Sequence, residues 1–423
     1  LIAKMPASMR KIRKHRYWVL AIVLCAWTLC YMDRMVIASA IPFMAEELHL
    51  SPTTMGVVMS AFFAGYALMQ IPGGLLADRF GPRAVLAFSI AWFSVMTALT
   101  GFAQGLISLL MIRVLFGLGE GPFPAAASKT LSIWFPPREL GRANGFTQAA
   151  TALGATLAPL FVAAFIASWS WRIVFYSLFI PGIALGAAIW WYVRNSPADS
   201  RYVTSEEMKE YDTAASPALS SKENLLESLR SPAVRWCAAS LFLANTVAWG
   251  LMNWLPTYLL QARGFSVEKM GLFAAITNLA GAAGYLLGGY VCDKYFSQNL
   301  RIPITFGLLA SAGLTYLAAG APTGEWAVLC LAMVFLLSNI SFVAIFTVPL
   351  LTVPKHRIGG AFGIVNTAGQ LSGVLAPVAV GYVLSLTHSD FKAVLYCMVG
   401  LALLAAYPAM RIRQPTIPAV VAR

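Results

Sequence analysis

Charge is scarce in this 423-residue chain: charged residues make up 11% of it, against 59% hydrophobic. A soluble protein is about a quarter charged, and a water-soluble fold of this composition could not hide its apolar surface. Long polar stretches are also missing, with one exception described below. Apolar runs of about 20 residues, the length a helix needs to cross the hydrocarbon of a bilayer, recur throughout. They are continuously apolar and do not alternate, which favours helices over a transmembrane barrel. Paired cysteines are absent. Cys25, Cys30, Cys237, Cys292, Cys330 and Cys397 are scattered through or beside the apolar runs with no CxxC spacing, so neither a disulfide nor a metal is expected. Histidine is kept out of the span interiors. His15, His49, His356 and His388 fall in loops or at span ends, which argues against a histidine proton relay. No HExxH or nucleophile motif is found, which argues against a membrane enzyme. The formal net charge of +13 does not indicate nucleic acid, because the basic residues sit in loops between spans and form no continuous face. No cleavable leader is expected, since the basic opening runs straight into a full-length apolar helix that would anchor itself.

The hydropathy pattern predicts an all-α membrane protein of twelve transmembrane helices. They are placed at about 17–43, 54–77, 84–103, 105–128, 144–167, 172–193, 234–261, 269–291, 302–320, 326–351, 359–385 and 392–410. The one long polar stretch, 194–233, carries Asp199, Glu206, Glu207, Glu210, Asp212, Glu223 and Glu227 and reads as a cytoplasmic linker. It divides a six-helix bundle at 17–193 from a second at 234–410. Residues 1–16 form a basic cytoplasmic N-terminus and 411–423 a cytoplasmic tail. Orientation follows from Lys and Arg. With the N-terminus inside, 24 of the 30 lie in cytoplasmic segments and only Arg172, Arg263, Lys269 and Lys392 lie outside, so both termini are expected in the cytoplasm.

The two halves echo each other. Residues 136–159, PPRELGRANGFTQAATALGATLAP, align without gaps on 354–377, PKHRIGGAFGIVNTAGQLSGVLAP, at a constant offset of 218. The offset pairs Pro136 with Pro354, Gly141 with Gly359, Gly145 with Gly363, Pro159 with Pro377 and Gln148 with Asn366. Such repeats build transporters whose site lies at the midplane between pseudo-symmetric halves. A second echo pairs Gly73-Gly74-x-x-x-Asp78-Arg79 with Gly288-Gly289-x-x-x-Asp293-Lys294. The first copy, Gly74-x-x-x-Asp78-Arg79-x-Gly81-x-Arg83, resembles the signature loop of the major facilitator superfamily. The second departs from it at Phe296 and Gln298. In the first copy Gly74 is expected to permit close helix packing, and Asp78 to accept hydrogen bonds from basic groups or a helix N-terminus. Gly74, Asp78, Arg79, Gly81 and Arg83 are therefore read as a cytoplasmic conformational latch.

Four charged side chains lie deep within spans: Asp33 and Arg34 in the first, Arg113 and Glu120 in the fourth. A charge at that depth costs at least about 2.5–3.5 kcal/mol and is a functional candidate by default. Arg113 and Glu120 are two helical turns apart on nearly one face, about 10.5 Å along the axis. Asp33 and Arg34 point about 100° apart, so that one can face the fourth span while the other faces a cavity. Two ion pairs, Asp33–Arg113 and Arg34–Glu120, could serve packing alone, although buried pairs are poor stabilisers beside apolar packing. A transporter has another use for them. A buried carboxyl next to an arginine can load a proton on one side and release it on the other, and a guanidinium fork matches a substrate carboxylate.

The surrounding residues narrow the resemblance. Tyr31-Met32-Asp33-Arg34, Arg113-x-x-x-Gly117-x-Gly119-Glu120-Gly121-Pro122-x-Pro124-Ala125 and Trp254-Leu255-Pro256-Thr257-Tyr258-Leu259 are similar to segments of the anion:cation symporter family. That family includes bacterial sugar-acid carriers and the sialin and vesicular glutamate transporter relatives. The resemblance implies proton coupling at Asp33 and Glu120 and anion binding by Arg34 and Arg113. Tyr31, Tyr66, Gln148 and Asn366 are further candidates for substrate contact, with Asn253, Asn278, Asn339 and Gln370 behind them. Trp249, Trp254 and Phe346 suit packing or gating. The expected partner is a small organic anion carried together with protons, with no other cofactor, by a monomer in the cell membrane. A sugar acid suits the tyrosines and amides, and an aromatic carboxylate of the phthalate or hydroxyphenylacetate type suits the aromatic rings. Rival readings in the same fold are an anion exchanger, a drug exporter and a sensor that binds without transport.

Overall fold

The computed structural model describes residues 14–208, 211, 227–354 and 357–412. Among them all regular structure is helical. This follows from the solvent: in lipid each backbone N–H and C=O needs an internal partner, and a helix supplies them within one segment. The first half comprises α1 (His15–Leu48), α2 (Pro52–Phe80), α3 (Pro82–Thr100), α4 (Leu106–Glu120), α5 (Phe123–Trp134), α6 (Pro137–Ile166) and α7 (Trp171–Tyr192). A short helix α8 (Ser205–Met208) follows in the polar stretch. The second half comprises α9 (Pro232–Thr257), α10 (Val267–Tyr295), α11 (Arg301–Ala319), α12 (Gly324–Thr352), α13 (Ile358–Leu386) and α14 (Phe391–Arg411).

Among the described residues eleven stretches are long and apolar enough to cross a membrane, with α4 and α5 together forming one of them over Leu106–Trp134. The long helix outside that set is α9, where Arg235, Asn245 and Asn253 dilute the apolar residues. It continues into a single π-helical turn at Tyr258–Ala262. Large apolar side chains are exposed along the helices, including Ile71, Ile107, Ile180 and Leu286, as expected where lipid is the solvent. Among the described residues, side chains that accept from first-turn amides cap helices at Ser170 on α7, Thr204 on α8, Ser266 on α10, Thr323 on α12 and Asp390 on α14. Pro52, Pro82 and Pro232 open α2, α3 and α9, at the position where a missing N–H costs nothing.

The chain forms two compact units. The first contains Leu1–Val36, Ala64–Ala158 and Ser168–Pro217. The second contains Ile37–Phe63, Pro159–Ala167 and Ala218–Arg423. The end of α1, the start of α2 and the end of α6 therefore associate with the helices of the second half. Within this second unit α2 lies directly on α13. A Cβ on Gly56 would collide with the Pro377 carbonyl, and one on Gly381 with the Pro52 carbonyl. Thr53 Oγ1 and Ser385 Oγ are 2.8 Å apart at the end of this seam, and the rings of Phe63 and Trp249 meet edge to face at 4.8 Å. Small residues every four positions on α13 (Gly373, Pro377, Gly381, Ser385) let the backbones approach this closely. The apolar centre of the unit is built from α9, α11, α12, α13 and α14 around Leu241, Ile304, Leu308, Ile345 and Val365.

The signature segment lies mostly within helix. Residues 74–80 form the last turns of α2, and only Gly81 separates α2 from α3. Gly81 has φ 80°, and Asn195 fills the space where its side chain would be, so glycine is required there on both counts. Asp78 Oδ1 accepts a hydrogen bond from Lys129 Nζ at 2.7 Å, so its partner is a basic group on α5. Arg83 donates from its backbone to Asn195 Oδ1 at 3.0 Å and from Nε to the Trp190 carbonyl at 2.8 Å, with its guanidinium over the Trp190 ring. Arg79 lies over Phe80. The expectation for Gly74 needs correcting: open space surrounds it, and its neighbour Gly73 makes the close approach, against Pro122.

Candidate functional site

The four membrane charges gather in the first unit. Asp33 and Arg34 lie midway along α1, 1% and 2% exposed, and Arg113 and Glu120 lie on α4, 2% and 0% exposed. Arg34 and Glu120 form an ion pair in which Nε and Nη2 of the arginine both donate to Oε1, the Nε contact being 3.1 Å. The rings of Tyr31 and Tyr66 flank the same guanidinium, each centroid 4.7 Å from Cζ. A desolvated cation facing an aromatic ring gains up to about 2 kcal/mol, so the two tyrosines help to offset the burial of Arg34. Tyr31 comes from one turn before Arg34 on α1, and Tyr66 from α2, which brings both rings to one cation.

Glu120 occupies the last position of α4. Pro122 follows after a single residue and supplies no N–H, so the hydrogen-bond ladder is interrupted beside the carboxylate. Glu120 Oε2 accepts no hydrogen bond among the described residues. Cys30, one helical turn before Arg34, lies beside Glu120. The spacing of four residues on α1 is the signal that could have found it.

Asp33 differs from Glu120. Arg113 lies within electrostatic reach of Asp33, and Thr97 of α3 approaches it, yet neither carboxyl oxygen of Asp33 has a hydrogen-bond partner among the described residues. Of the two ion pairs weighed from the sequence, Arg34–Glu120 is therefore a direct contact and Asp33–Arg113 is not. The Arg113 guanidinium lies 4.8 Å from the Phe116 ring centroid. Thr97 carries no sequence signal, because its place beside Asp33 depends on how α3 docks against α1.

The remaining candidates are dispersed. Gln148 on α6 belongs to the first unit and is exposed, and Asn366 on α13 belongs to the second and is half-buried. Asn253 donates to the Trp249 carbonyl one turn earlier on its own helix at 2.9 Å, and Asn339 on α12 joins α10 by donating to the Gly281 carbonyl at 2.8 Å. Gln370 keeps a buried Oε1 that has no hydrogen-bond partner among the described residues. Trp254 donates to the Pro377 carbonyl at 3.1 Å, and Phe346 packs on Phe362, so both are packing residues of the second unit. No cluster of three or more metal-ligating side chains occurs among the described residues.

The sequence matches the model of the Major Facilitator Superfamily over residues 23–377. A probable sulfoacetate transporter of Cupriavidus necator is 30% identical over 391 residues, covering 90% of each chain. The hexuronate transporter of Bacillus subtilis is 29% identical over 419 residues, covering 96% of each. The fold is shared with a bacterial homologue of the human lysosomal transporter Spinster, at a TM-score of 0.79 and 20% identity over 94% of this chain and 97% of that one.

Proposed function

Because the chain belongs to the major facilitator superfamily, we propose that it is a proton-coupled symporter importing an organic carboxylate, a sugar acid of the hexonate, hexuronate or aldarate type, by alternating access. In this reading α9 is the remaining span, making twelve, both termini are cytoplasmic, and the monomer sits in the cell membrane. The observation that carries the reading is the Arg34–Glu120 pair between two tyrosine rings. Arg34 is the cation a substrate carboxylate would seek, and Glu120 occupies it. A proton on Glu120 removes the competing charge and releases the fork, so anion binding and proton loading favour each other. Such coupling works in both directions, since each ligand changes the other's affinity by the same factor. Asp33, with no hydrogen-bonding partner among the described residues, is the second proton carrier, and Arg113 steadies the charge of both acids. Tyr31 and Tyr66 supply hydroxyls for a polyol chain. Gln148 and Asn366, equivalent in the internal repeat, are each assigned a substrate contact.

If both acids load in each cycle, two protons accompany one monoanion and one net positive charge enters. A membrane potential then adds about 2.3 kcal/mol per 100 mV to the drive. The test is uptake into proteoliposomes under an imposed pH gradient and then under potential alone. A panel of hexuronates, hexonates, aldarates, sulfoacetate and aromatic acids would be compared. The double variant Asp33→Asn/Glu120→Gln is expected to lose proton-driven accumulation while retaining counterflow exchange. Full accumulation in that variant would remove these acids from the coupling role. For a monoanionic substrate, uptake indifferent to potential would reduce the stoichiometry to one proton. The sulfoacetate arm is included because one relative is described by that substrate.

The latch gives a further expected outcome. Asp78 and Lys129 are 48% and 32% exposed, so their ion pair contributes at most about 1 kcal/mol to stability. Asp78→Ala is therefore expected to fold normally and bind ligand with unchanged affinity while transporting more slowly, because it alters the balance of conformations without touching the site. A large loss of affinity with normal folding would assign Asp78 to binding.

A further inference from the structure

The polar stretch after α7 is fastened to the start of α1. Glu207 of α8 is 1% exposed, 192 residues away in sequence from the residue it caps. Its Oε2 accepts from the backbone N–H of His15 at 3.0 Å, and its Oε1 from that of Arg16 at 3.1 Å. Tyr211 donates its hydroxyl to Oε1 at 2.9 Å. A buried carboxylate is costly without partners. This one has three donors and faces the positive end of the α1 macrodipole, where an anion is most favoured. The joint extends further. The His15 ring stacks on Tyr202 at 5.1 Å, meets Trp134 edge-on at 5.3 Å, and donates from Nε2 to the Tyr192 carbonyl at 3.0 Å. Trp134 donates to the Arg194 carbonyl at 3.0 Å, and Glu139 on α6 accepts from Arg16 and from the Tyr17 hydroxyl, both at 3.3 Å. The first turn of α1 is thus tied to α5, α6, α7 and α8, in each case through residues of the first unit.

We propose that Glu207 is a positioning residue for transport: by capping α1 it fixes the axial register of the helix that carries Asp33 and Arg34. The capped turn lies about 27 Å along the helix from those residues. An α-helix is stiff along its axis, so restraint at its first turn is felt where Arg34 meets Glu120. The segment from Pro197 to Met208, together with Tyr211, is then a working part of the first bundle and not a passive tether between halves. Ligand does not touch it, so its loss alters the turnover of the cycle and leaves the affinity of the site in place. This inference rests on the reading of Asp33, Arg34 and Glu120 as the coupling site.

The test compares Glu207→Ala and Glu207→Gln with wild type in proteoliposomes loaded with the best acid of the panel above. Glu207→Ala is expected to lower maximal uptake by about tenfold with KM within about twofold of wild type. Amide hydrogen exchange at residues 15–19 is expected to accelerate in the same variant, since two first-turn N–H groups lose their acceptor. Glu207→Gln keeps an acceptor oxygen for only one of the two N–H groups and is expected to restore part of the uptake. Wild-type maximal uptake in Glu207→Ala, or equal losses in the two variants, would overturn the proposal. Should the alanine variant fail to fold, Glu207→Asp takes its place. It keeps the charge but withdraws the acceptor by one methylene, and unchanged uptake together with faster amide exchange would overturn the proposal equally. Absence of proton-driven uptake in wild type would instead overturn the coupling-site reading, and the exchange measurement would still report whether Glu207 holds α1.

Discussion

Replacing Arg34 with Ala is expected to weaken anion binding by a factor of roughly 30 to several thousand, the consequence of losing about 2–5 kcal/mol from one partner of a buried, hydrogen-bonded charge pair. Three features make Arg34 the critical cation. Its guanidinium is 2% exposed, it faces two aromatic rings, and its existing partner is a carboxylate whose place a substrate carboxylate could take. Lysine is expected to rescue poorly, because a point charge reproduces neither the planar fork nor the stacking between Tyr31 and Tyr66. Arg113→Ala is expected to cost less in binding, since Arg113 lies outside the direct pair. Calorimetry or a thermal-shift titration with the transported acid checks this, and wild-type affinity in Arg34→Ala would remove the arginine from the binding site.

The second large effect is expected at the seam between α2 and α13. The proposed cycle requires this contact to open and close once per turnover. Gly56 and Gly381 each place bare backbone against a carbonyl of the facing helix, leaving no room for a side chain. Gly56→Leu is therefore expected to hold the seam apart and reduce uptake by about tenfold or more, a change of at least about 1.4 kcal/mol in the closing step. The complementary experiment holds it shut. Thr53 and Ser385 present hydroxyls 2.8 Å apart, which places their Cβ atoms near the separation a disulfide spans. In a background with the exposed Cys25 and Cys397 changed to Ser, the pair Thr53→Cys/Ser385→Cys is expected to be inactive when oxidised and active after reduction. Undiminished uptake with the disulfide formed would show that the seam stays closed throughout transport.

The helices were legible because the bilayer demands them: a run of about 20 apolar residues in lipid has few alternatives. The pairing of Arg34 with Glu120 was legible as one of two options, since charges at that depth must find partners. Its counterpart was not, because whether Asp33 reaches Arg113 depends on helix rotation, to which a sequence pattern is blind. Gly73 and Gly74 are interchangeable in sequence, and only the docking of α2 on Pro122 distinguishes them. The break after Glu120 had a local signal in Gly121-Pro122 but was absorbed into one continuous predicted span. The role of Glu207 had no local signal at all. Its acidic neighbours made the segment read as solvated linker, and the amides it caps lie 191 and 192 residues away.

The interruption at Gly121-Pro122 gives the fourth span the mechanics of a jointed lever. Between Glu120 and Phe123 no proline N–H links α5 back to the turn before it, so α5 can tilt against α4 at lower cost than an unbroken helix. The arm is 12 residues long, about 18 Å. Its pivot is the carboxylate that holds Arg34. Midway along it, Lys129 grips Asp78 at the end of α2, and at its tip Trp134 is clasped by His15 and the Arg194 carbonyl. A tilt of about 10° at the pivot moves the tip by about 3 Å, enough to break one hydrogen bond and form another. A change of partner at a single carboxyl group can thereby be levered into a displacement at the far end of the bundle, where the grip of Asp78 and the clasp around His15 register it.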